Sequence, residues 1–556
     1  MSASTTPSSP TATPLWRELL PKLVTCLREG YGLSALRHDA LAGLTVAIVA
    51  LPLAMALAIA SGTTPDKGLI TAVVAGFIIS ALGGSRVQIG GPTGAFVVVV
   101  FDVIARHGYD GLLLATLMAG IILVIAAITR MGQWIKYIPE PVVTGFTAGI
   151  AVIIFSSQIK DLLGLSMADV PADFLSKWPA FWQVRDTVGP AALIGLGGLA
   201  LILIIRRWAP KVPAFLVAVV LASALVPLTG LGVETIGSRF GGIPDHLPMP
   251  ALPVVTLEKL RVLLPSALTI AFLAGVESLL SAVVADGMTG RRHRPNAELL
   301  AQGIANMVSP LFGGLPATGA IARTVTNIRS GARSPVSGML HALFLLLFML
   351  AFSGLAAYVP LAVLASVLVV VAWNMSDAGR FAHQLRVAPM GDRLVLVTTF
   401  LLTILVDLTV AIEVGVVLAA LLFMHRMSET VSVTTDEEPD AAAGLPPDTV
   451  LYRIDGPMFF GAARKLADVL ERAGGAPRVL ILDMALVPLL DATGAEAVMT
   501  AINRARRHGA HIVLSGVQRQ PMGVLHGLGI RHRRDRVALA ADLARAKKTA
   551  HDLLKA

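Results

Sequence analysis

Apolar residues dominate this chain from about residue 40 to residue 427 and then give way to an ordinary mixed pattern. A helix needs about 20 apolar residues to cross the hydrocarbon core of a bilayer. Continuous apolar runs lie at 41–60, 111–129, 137–158, 190–206, 213–229, 263–286, 336–353, 359–373, 392–407 and 410–426. Shorter or glycine-broken runs lie near 68–83, 87–105, 298–313 and 316–328. The pattern predicts a polytopic α-helical membrane protein with fourteen transmembrane segments.

Beyond residue 428 the period changes. Strand-like runs at 450–455, 478–484 and 511–516 alternate with helical patterns at 462–472, 491–507 and 520–528. That alternation predicts a small α/β domain. The expected division is an N-terminal segment 1–38, a membrane domain 39–428, a linker 429–448 and a soluble domain 449–556. Residues 1–14 are small, polar and proline-rich, which predicts disorder, and they show no cleavable signal pattern.

Composition agrees with a bilayer. Of 556 residues, 55% are hydrophobic and 15% charged, and the mean hydropathy is +0.74. The net charge of +9 is spread between apolar runs and forms no basic stripe, which argues against nucleic acid. Alternate loops of the fourteen-segment scheme carry 14 basic residues against 8. The richer set includes Arg86, Arg130, Lys136, Arg206, Arg207, Lys211, Arg291, Arg292, Arg294, Arg329 and Arg333. The poorer set holds Lys67, Arg106, Lys160, Lys177 and Arg239, with acidic Asp161, Asp169 and Asp173. Basic loops stay on the cytoplasmic side, so both termini are expected there. Cys26 is the sole cysteine, which excludes an intrachain disulfide.

The chain also resembles itself. LTVA at 44–47 recurs as LTIA at 268–271, and TGA at 93–95 recurs at 318–320, offsets of 224 and 225. Such an offset spans seven expected segments, and an odd number inverts the second copy. Two inverted seven-segment repeats are a secondary-carrier plan. Chance likeness between apolar stretches is the competing reading.

In matching places the halves read QIGGPTGAFVVVV (88–100) and FGGLPATGAIART (312–324). Pro92 suits a first helical position, and Thr318 an N-cap with Gly319 just inside. Helices starting within the membrane would expose unpaired N–H groups and the positive ends of their dipoles. Facing each other, two such starts form an anion site from Thr93, Gly94, Ala95, Gly319 and Ala320. Alternatively, the glycines and prolines are packing devices in continuous spans. Arg323 adds positive potential there or reaches toward an interface.

Glu277 falls in mid-span within 267–287. A carboxylate at the bilayer centre is costly, so it is expected to face the bundle interior. Protonated it tolerates a neighbouring anion; ionised it repels one. Ser281, one turn on, shares its helix face and is expected to bond the carboxyl or help ligate a cation. A structural pair with Arg323 is the alternative. Asp102, Asp407 and Glu413 read as interfacial. No nucleophile–base or metal constellation indicates an enzyme, and His508 and His511 are too isolated for a metal site.

AGLTVAIVALPLAMALAIASG (42–62), GGSRVQIGGPTGAFVVV (83–99), GVESLLSAVVADGMTG (275–290) and GGLPATGAIARTVTNIRSGARSPVSG (313–338) resemble the SulP family of anion transporters. ESLLSAVVADGMTGRRHRPNAELLAQGIANM (277–307) and VAWNMSDA (371–378) are most similar to its DauA-type dicarboxylic acid transporters of bacteria. The resemblance implies core and gate domains, an elevator-like movement, a homodimer in the bacterial inner membrane, and substrate between the third and tenth segments. In sodium-coupled bicarbonate relatives, Asp and Thr stand where this chain has Glu277 and Ser281, and Thr where it has Ile321. That favours a co-transported proton over sodium and needs no cofactor.

VPLLDATGAEAV (487–498) resembles the STAS domain usual in that family. Thr493 occupies the place of a phosphorylated serine in some relatives, and is otherwise an N-cap. An acyl carrier protein or other regulator is the partner the resemblance implies. The reading is a proton-coupled symporter of small carboxylates such as succinate or fumarate, with a sulfate or bicarbonate carrier as the alternative. An anion channel, or a membrane-tethered signalling protein acting through STAS, is the alternative of another class.

Overall fold

A computed structural model describes residues 14–133, 139–167, 170, 171, 173–210, 212–435, 444–459, 466, 477–530 and 537–555. Lys136, Asp169, Lys211, most of the expected helix at 462–472 and the first part of the linker lie outside the described residues. Two compact units emerge, Met1–Val416 and Val417–Ala556.

The first unit is helical. Its main helices are α1 (Leu33–Ala60), α2 (Pro65–Leu82), α3 (Ala95–Ile128), α4 (Glu140–Leu163), α5 (Ala191–Trp208), α6 (Ala214–Thr229), α7 (Leu257–Thr289), α8 (Pro295–Val308), α9 (Ile321–Arg329), α10 (Val336–Ala356), α11 (Leu361–Ser376) and α12 (Met390–Leu405), followed by α13 (Leu408–Thr430) across the unit boundary. Among the described residues, nine helices are long and apolar enough to cross a membrane, not fourteen. The difference has local causes. The runs at 87–105 and 111–129 merge into α3, which breaks at Gly108 with φ 70°. The runs at 298–313 and 316–328 shorten to the 14 residues of α8 and the nine of α9, and those at 213–229 and 392–407 form α6 and α12 of 16 residues each, also too short to count. Backbone before α3 and α9 is spent on two short strands, β1 (Gly90–Gly91) and β2 (Thr318–Gly319), which pair antiparallel.

Packing sorts the helices into two groups. One gathers α1, α2, α3, α7, α8, α9 and α10; the other gathers α4, α5, α6, α11 and α12. Each group draws on both halves of the chain. Small residues allow the close approaches. A Cβ at Gly149 would lie 2.7 Å from Thr403 Cβ, and one at Gly303 would lie 2.7 Å from Val124 Cγ2. Without water to drive association, such contacts supply packing between helices in lipid.

The loop charges sort as well. Arg86, Arg291, Arg292 and Arg333 line one cavity, whereas Arg106, Lys160, Lys177 and Arg239 line another. Ala285 borders the first and Ser266 the second, so the cavities lie near opposite ends of α7, about 28 Å apart at 1.5 Å per residue.

Two buried carboxylates fasten the loops that flank the broken helices. Glu298 Oε2 accepts from the amides of Gly84 (2.9 Å) and Ser85 (3.2 Å), and its Oε1 accepts from Gln302 Nε2. Asp39 accepts from the amides of Arg333 and Ser334, the Ser334 hydroxyl and the Tyr31 hydroxyl. Both residues are 0% exposed.

The second unit carries a five-stranded sheet ordered β3 (Ser432–Thr435), β4 (Thr449–Asp455), β5 (Val479–Leu486), β6 (His511–Ser515) and β7 (Val537–Ala540). β3 runs antiparallel to β4 and the rest are parallel. Helices α14 (Ala492–Arg507), α15 (Arg519–Gly527) and α16 (Leu543–Lys555) complete it. Along β5, Leu480, Leu482 and Met484 pack with Val498 and Ile502 of α14, while Val479 and Ile481 pack with Ala546 and Ala550 of α16. Period-two alternation with both faces apolar is what a covered parallel sheet requires.

Replacing Glu298 by Ala would leave the Gly84 and Ser85 amides buried without acceptors, a cost of about 3 kcal/mol. The expected outcome is a lowered unfolding midpoint of the full chain in detergent, with Glu298→Gln, which keeps one acceptor oxygen, falling between the two.

Candidate anion site

Residues 87–92 run through the membrane unit without helical hydrogen bonds, and α9 supplies what they lack. Asn327 Nδ2 donates to the Val87 carbonyl at 2.8 Å. Thr324 Oγ1 accepts from the Ile89 amide at 3.1 Å, and the Ala320 amide donates to the Ile89 carbonyl at 2.8 Å. Arg323 Nη2 donates to the Pro92 carbonyl. Residues 320, 323, 324 and 327 share one face of a 3.6-residue helix, so a single face braces the whole unwound stretch.

Gly91 must be glycine. Its φ is +145°, and a Cβ there would lie 2.6 Å from Arg323 Nη1. A Cβ at Gly319 would overlap the Gln88 amide nitrogen. Gln88 Nε2 donates to the Ser278 carbonyl at 3.2 Å, and Ser278 Oγ accepts from the Gly319 amide at 2.9 Å. The loop before β2 is tied equally well. Asn306 Oδ1 accepts from the Ala317 amide, Thr71 Oγ1 accepts from the Leu315 amide, and the Tyr109 hydroxyl donates to the Gly313 carbonyl.

The helix starts differ in detail from the sequence reading. α3 begins at Ala95 with Gly94 in the N-cap position, so Pro92 stands before the helix because Gly90 and Gly91 are taken up by strand pairing. α9 begins at Ile321 behind Ala320, and Thr318 does not cap it. The Thr318 hydroxyl instead bonds Ser278 Oγ at 2.7 Å and the Ala274 carbonyl at 3.0 Å. The amides of Gly319 and Ala320, expected to face the anion, are already engaged by Ser278 and Ile89. Among the described residues, the amides left without partners are those of Thr93, Gly94 and Ala95 at one start and Ile321, Ala322 and Arg323 at the other.

Thr93 Oγ1 donates to Glu277 Oε2 at 2.8 Å, which sets the carboxylate of α7 against the start of α3. Arg323 is 3% exposed, lies between the two starts, and keeps its Nε without a partner. It makes no direct ion pair with Glu277, although the two charges are close enough to interact. Ser281 departs from expectation. Its hydroxyl donates to Thr324 Oγ1 at 3.2 Å, across to α9, and not to the carboxyl one turn back. Gly94 is covered by Met375 of α11 and Ile154 of α4, apolar residues that no sequence signal singled out.

The arrangement is a convergence of six free N–H groups, two helix dipoles and one guanidinium, opposed by one carboxylate. With Glu277 ionised the side chains cancel; with it protonated the site is positive. Gln88, Ser278, Thr324 and Asn327 were missed as supports, although polar residues in apolar runs are their signal. In the second unit, Thr493 is exposed inside the first turn of α14, and Asp491 Oδ1 caps the helix by accepting from the Gly494 amide at 2.7 Å. A carboxylate suits a helix N-terminus better than a hydroxyl.

Comparison with known proteins gives the same outline. Residues 36–399 match the sulfate permease family, and residues 441–540 match the STAS domain. The candidate sulfate transporter YvdB of Bacillus subtilis is 45% identical over 91% of this chain and 96% of its own length. The bicarbonate transporter BicA of a Picosynechococcus species is 32% identical over 87% of this chain and 89% of its own. The murine solute carrier 26 family member A9 anion transporter, in an inward-facing state, superposes with a TM-score of 0.86 over 99% of this chain and 96% of that one, at 17% identity. The chain therefore belongs to the sulfate permease (SulP) family of multi-pass secondary anion transporters and carries a C-terminal STAS domain, and it is a transporter, not an enzyme.

Proposed function

We propose that this protein is a proton-coupled carrier of a small oxyanion, sulfate first and bicarbonate second. The observation that carries the reading is the pair of helix starts at Thr93–Ala95 and Ile321–Arg323, with free amides beside one buried arginine and one titratable carboxylate. Sulfate is favoured by the names of relatives such as YvdB, and bicarbonate by BicA. The C4-dicarboxylate reading, with its DauA-type likeness, has less support from those names. Among the site's side chains, Arg323 is the one cation, enough for a single compact anion rather than two separated carboxylates.

Substrate sits between the starts, held by the amides of Thr93, Gly94 and Ala95 and of Ile321, Ala322 and Arg323; Gly319 and Ala320 fix the strand pairing behind them. Glu277 carries the proton. Protonation leaves Arg323 and the two dipoles unopposed, so anion and proton enter together. Ser281 braces α9 through Thr324, and the proton is preferred over sodium on the family resemblance at Glu277 and Ile321.

We read the helices of residues 39–428 as fourteen segments in two inverted repeats, counting the halves of α3 separately and including α8 and α9. The two packing groups then become core and gate, and an elevator-like slide of one past the other provides alternating access. The sorted loop charges support cytoplasmic termini in a bacterial inner membrane. A homodimer, and a regulator such as acyl carrier protein at the domain of 449–556, follow from the family alone. Thr493 is exposed and so open to modification.

Reconstituted native protein is expected to accumulate labelled sulfate or bicarbonate when the inside is alkaline, and succinate at least about tenfold less well, a gap of about 1.4 kcal/mol. Uptake indifferent to pH and unsaturable would indicate a channel instead. Glu277→Gln should abolish gradient-driven accumulation while leaving anion exchange measurable; full accumulation by that variant would remove the proton assignment. Gly319→Ala should cut uptake about a hundredfold by displacing Gln88 and the strand pair, at unchanged expression.

A further inference from the structure

The cavity at the other end of α7 is a built site that transport as described does not use. Its volume is about 240 Å³, several times the roughly 30 Å³ that one water occupies in the liquid. Arg86, Arg291, Arg292 and Arg333 line it, together with Asp286 and His293. Ala285 and Asp286 lie eight and nine residues along α7 from Glu277, about 12 to 14 Å, so the cavity is separate from the anion site.

Arg291, Arg292 and Arg333 are exposed and Arg86 is half-buried, but unlike the arginines of a spread basic loop they converge on one cavity from three separate stretches of chain. Two of them stand on rigid footings. Arg86 follows Ser85, whose amide is held by Glu298, and the amide of Arg333 is itself held by Asp39. Negative charge is short. Asp286 is the one acidic lining residue, and its Oδ2 accepts from the amide of His293 (3.0 Å) and bonds His293 Nδ1 (2.7 Å). Glu29 pairs with Arg86 at 2.5 Å, and Arg333 Nη2 contacts His38 Nε2. Among the described residues Arg291 and Arg292 make no side-chain hydrogen bond or ion pair, although Arg291 lies near enough to Glu29 for the charges to interact. The neighbouring Lys22 ammonium has its pKa lowered, by burial first and then by Arg294 and Arg86, as expected where cations crowd.

We propose that this cavity is a second anion site, taking a doubly charged phosphate group that the forked guanidinium donors fit. The group is presented free in solution or as the headgroup of an acidic phospholipid. The proposal does not depend on which anion is transported.

The test uses full-length protein in neutral detergent at fixed ionic strength. The unfolding midpoint is followed against inorganic pyrophosphate in one arm and short-chain phosphatidic acid in the other, with phosphatidylcholine as the neutral control. Saturable stabilisation is expected for the native chain and for Thr93→Val, weakened at least about tenfold in the double variant Arg291→Gln/Arg292→Gln. Response to pyrophosphate assigns the free group, and response to phosphatidic acid alone assigns the headgroup. Should the glutamine pair lower the midpoint without ligand, Arg291→Lys/Arg292→Lys, which keeps charge but loses the fork, must still bind more weakly than native. Equal saturation in native and double variants, no saturable response in either arm, or loss in Thr93→Val alone would overturn the proposal.

Discussion

Backbone that leaves the helix inside a membrane must find partners for its N–H and C=O groups, because lipid offers none. In this protein that demand falls on residues 87–92 and 313–319, which meet in one short strand pair, while Thr71, Tyr109, Ser278 and Asn306 tie the rest of the second stretch. The strands β1 and β2 pair across the two halves, and one face of α9 supplies Ala320, Arg323, Thr324 and Asn327 to the opposite stretch. Only because this bracing exists can α3 and α9 begin inside the protein with first-turn amides to spare. An anion site made of backbone is then a by-product of how the interruption is stabilised.

The bracing also explains where charge is tolerated. Arg323 sits buried because the Pro92 carbonyl and two helix starts surround it, and Glu277 sits opposite because Thr93 donates to it. Glu298 and Asp39 bind backbone amides at the feet of the same elements, so four ionisable side chains, three of them buried, serve one structure. Scaffold and site are not separable here. A change at Gly91 or Gly319 disturbs both at once.

Much of this was legible in the sequence. Gly-Gly and Pro before an apolar run, twice at one offset, mark helices that start late, and Glu277 alone in mid-span marks an interior carboxylate. What the sequence could not place was the pairing register. Local rules put Pro92 and Thr318 at helix starts, but strand pairing consumes Gly90, Gly91, Thr318 and Gly319, moving the free amides on to Ile321, Ala322 and Arg323. Partner choice was hidden likewise, since Ser281 turns to Thr324 only because α7 and α9 pack together. In the second unit, patterns found the central strands, whereas the four-residue edges β3 and β7 are too short for a period to show; α16, amphipathic with Ala546 and Ala550 on its buried face, was legible and went unread.

The central claim is that the two helix starts, together, replace the hydration shell of a small anion. A density map of the full chain in a lipid disc with selenate, a heavy sulfate analogue, tests it most directly. The account predicts selenate density within hydrogen-bond reach of the amides of Thr93–Ala95 and Ile321–Arg323. Density elsewhere with those amides paired to protein, or α3 and α9 continuing as helix through residues 87–94 and 313–320, would contradict it.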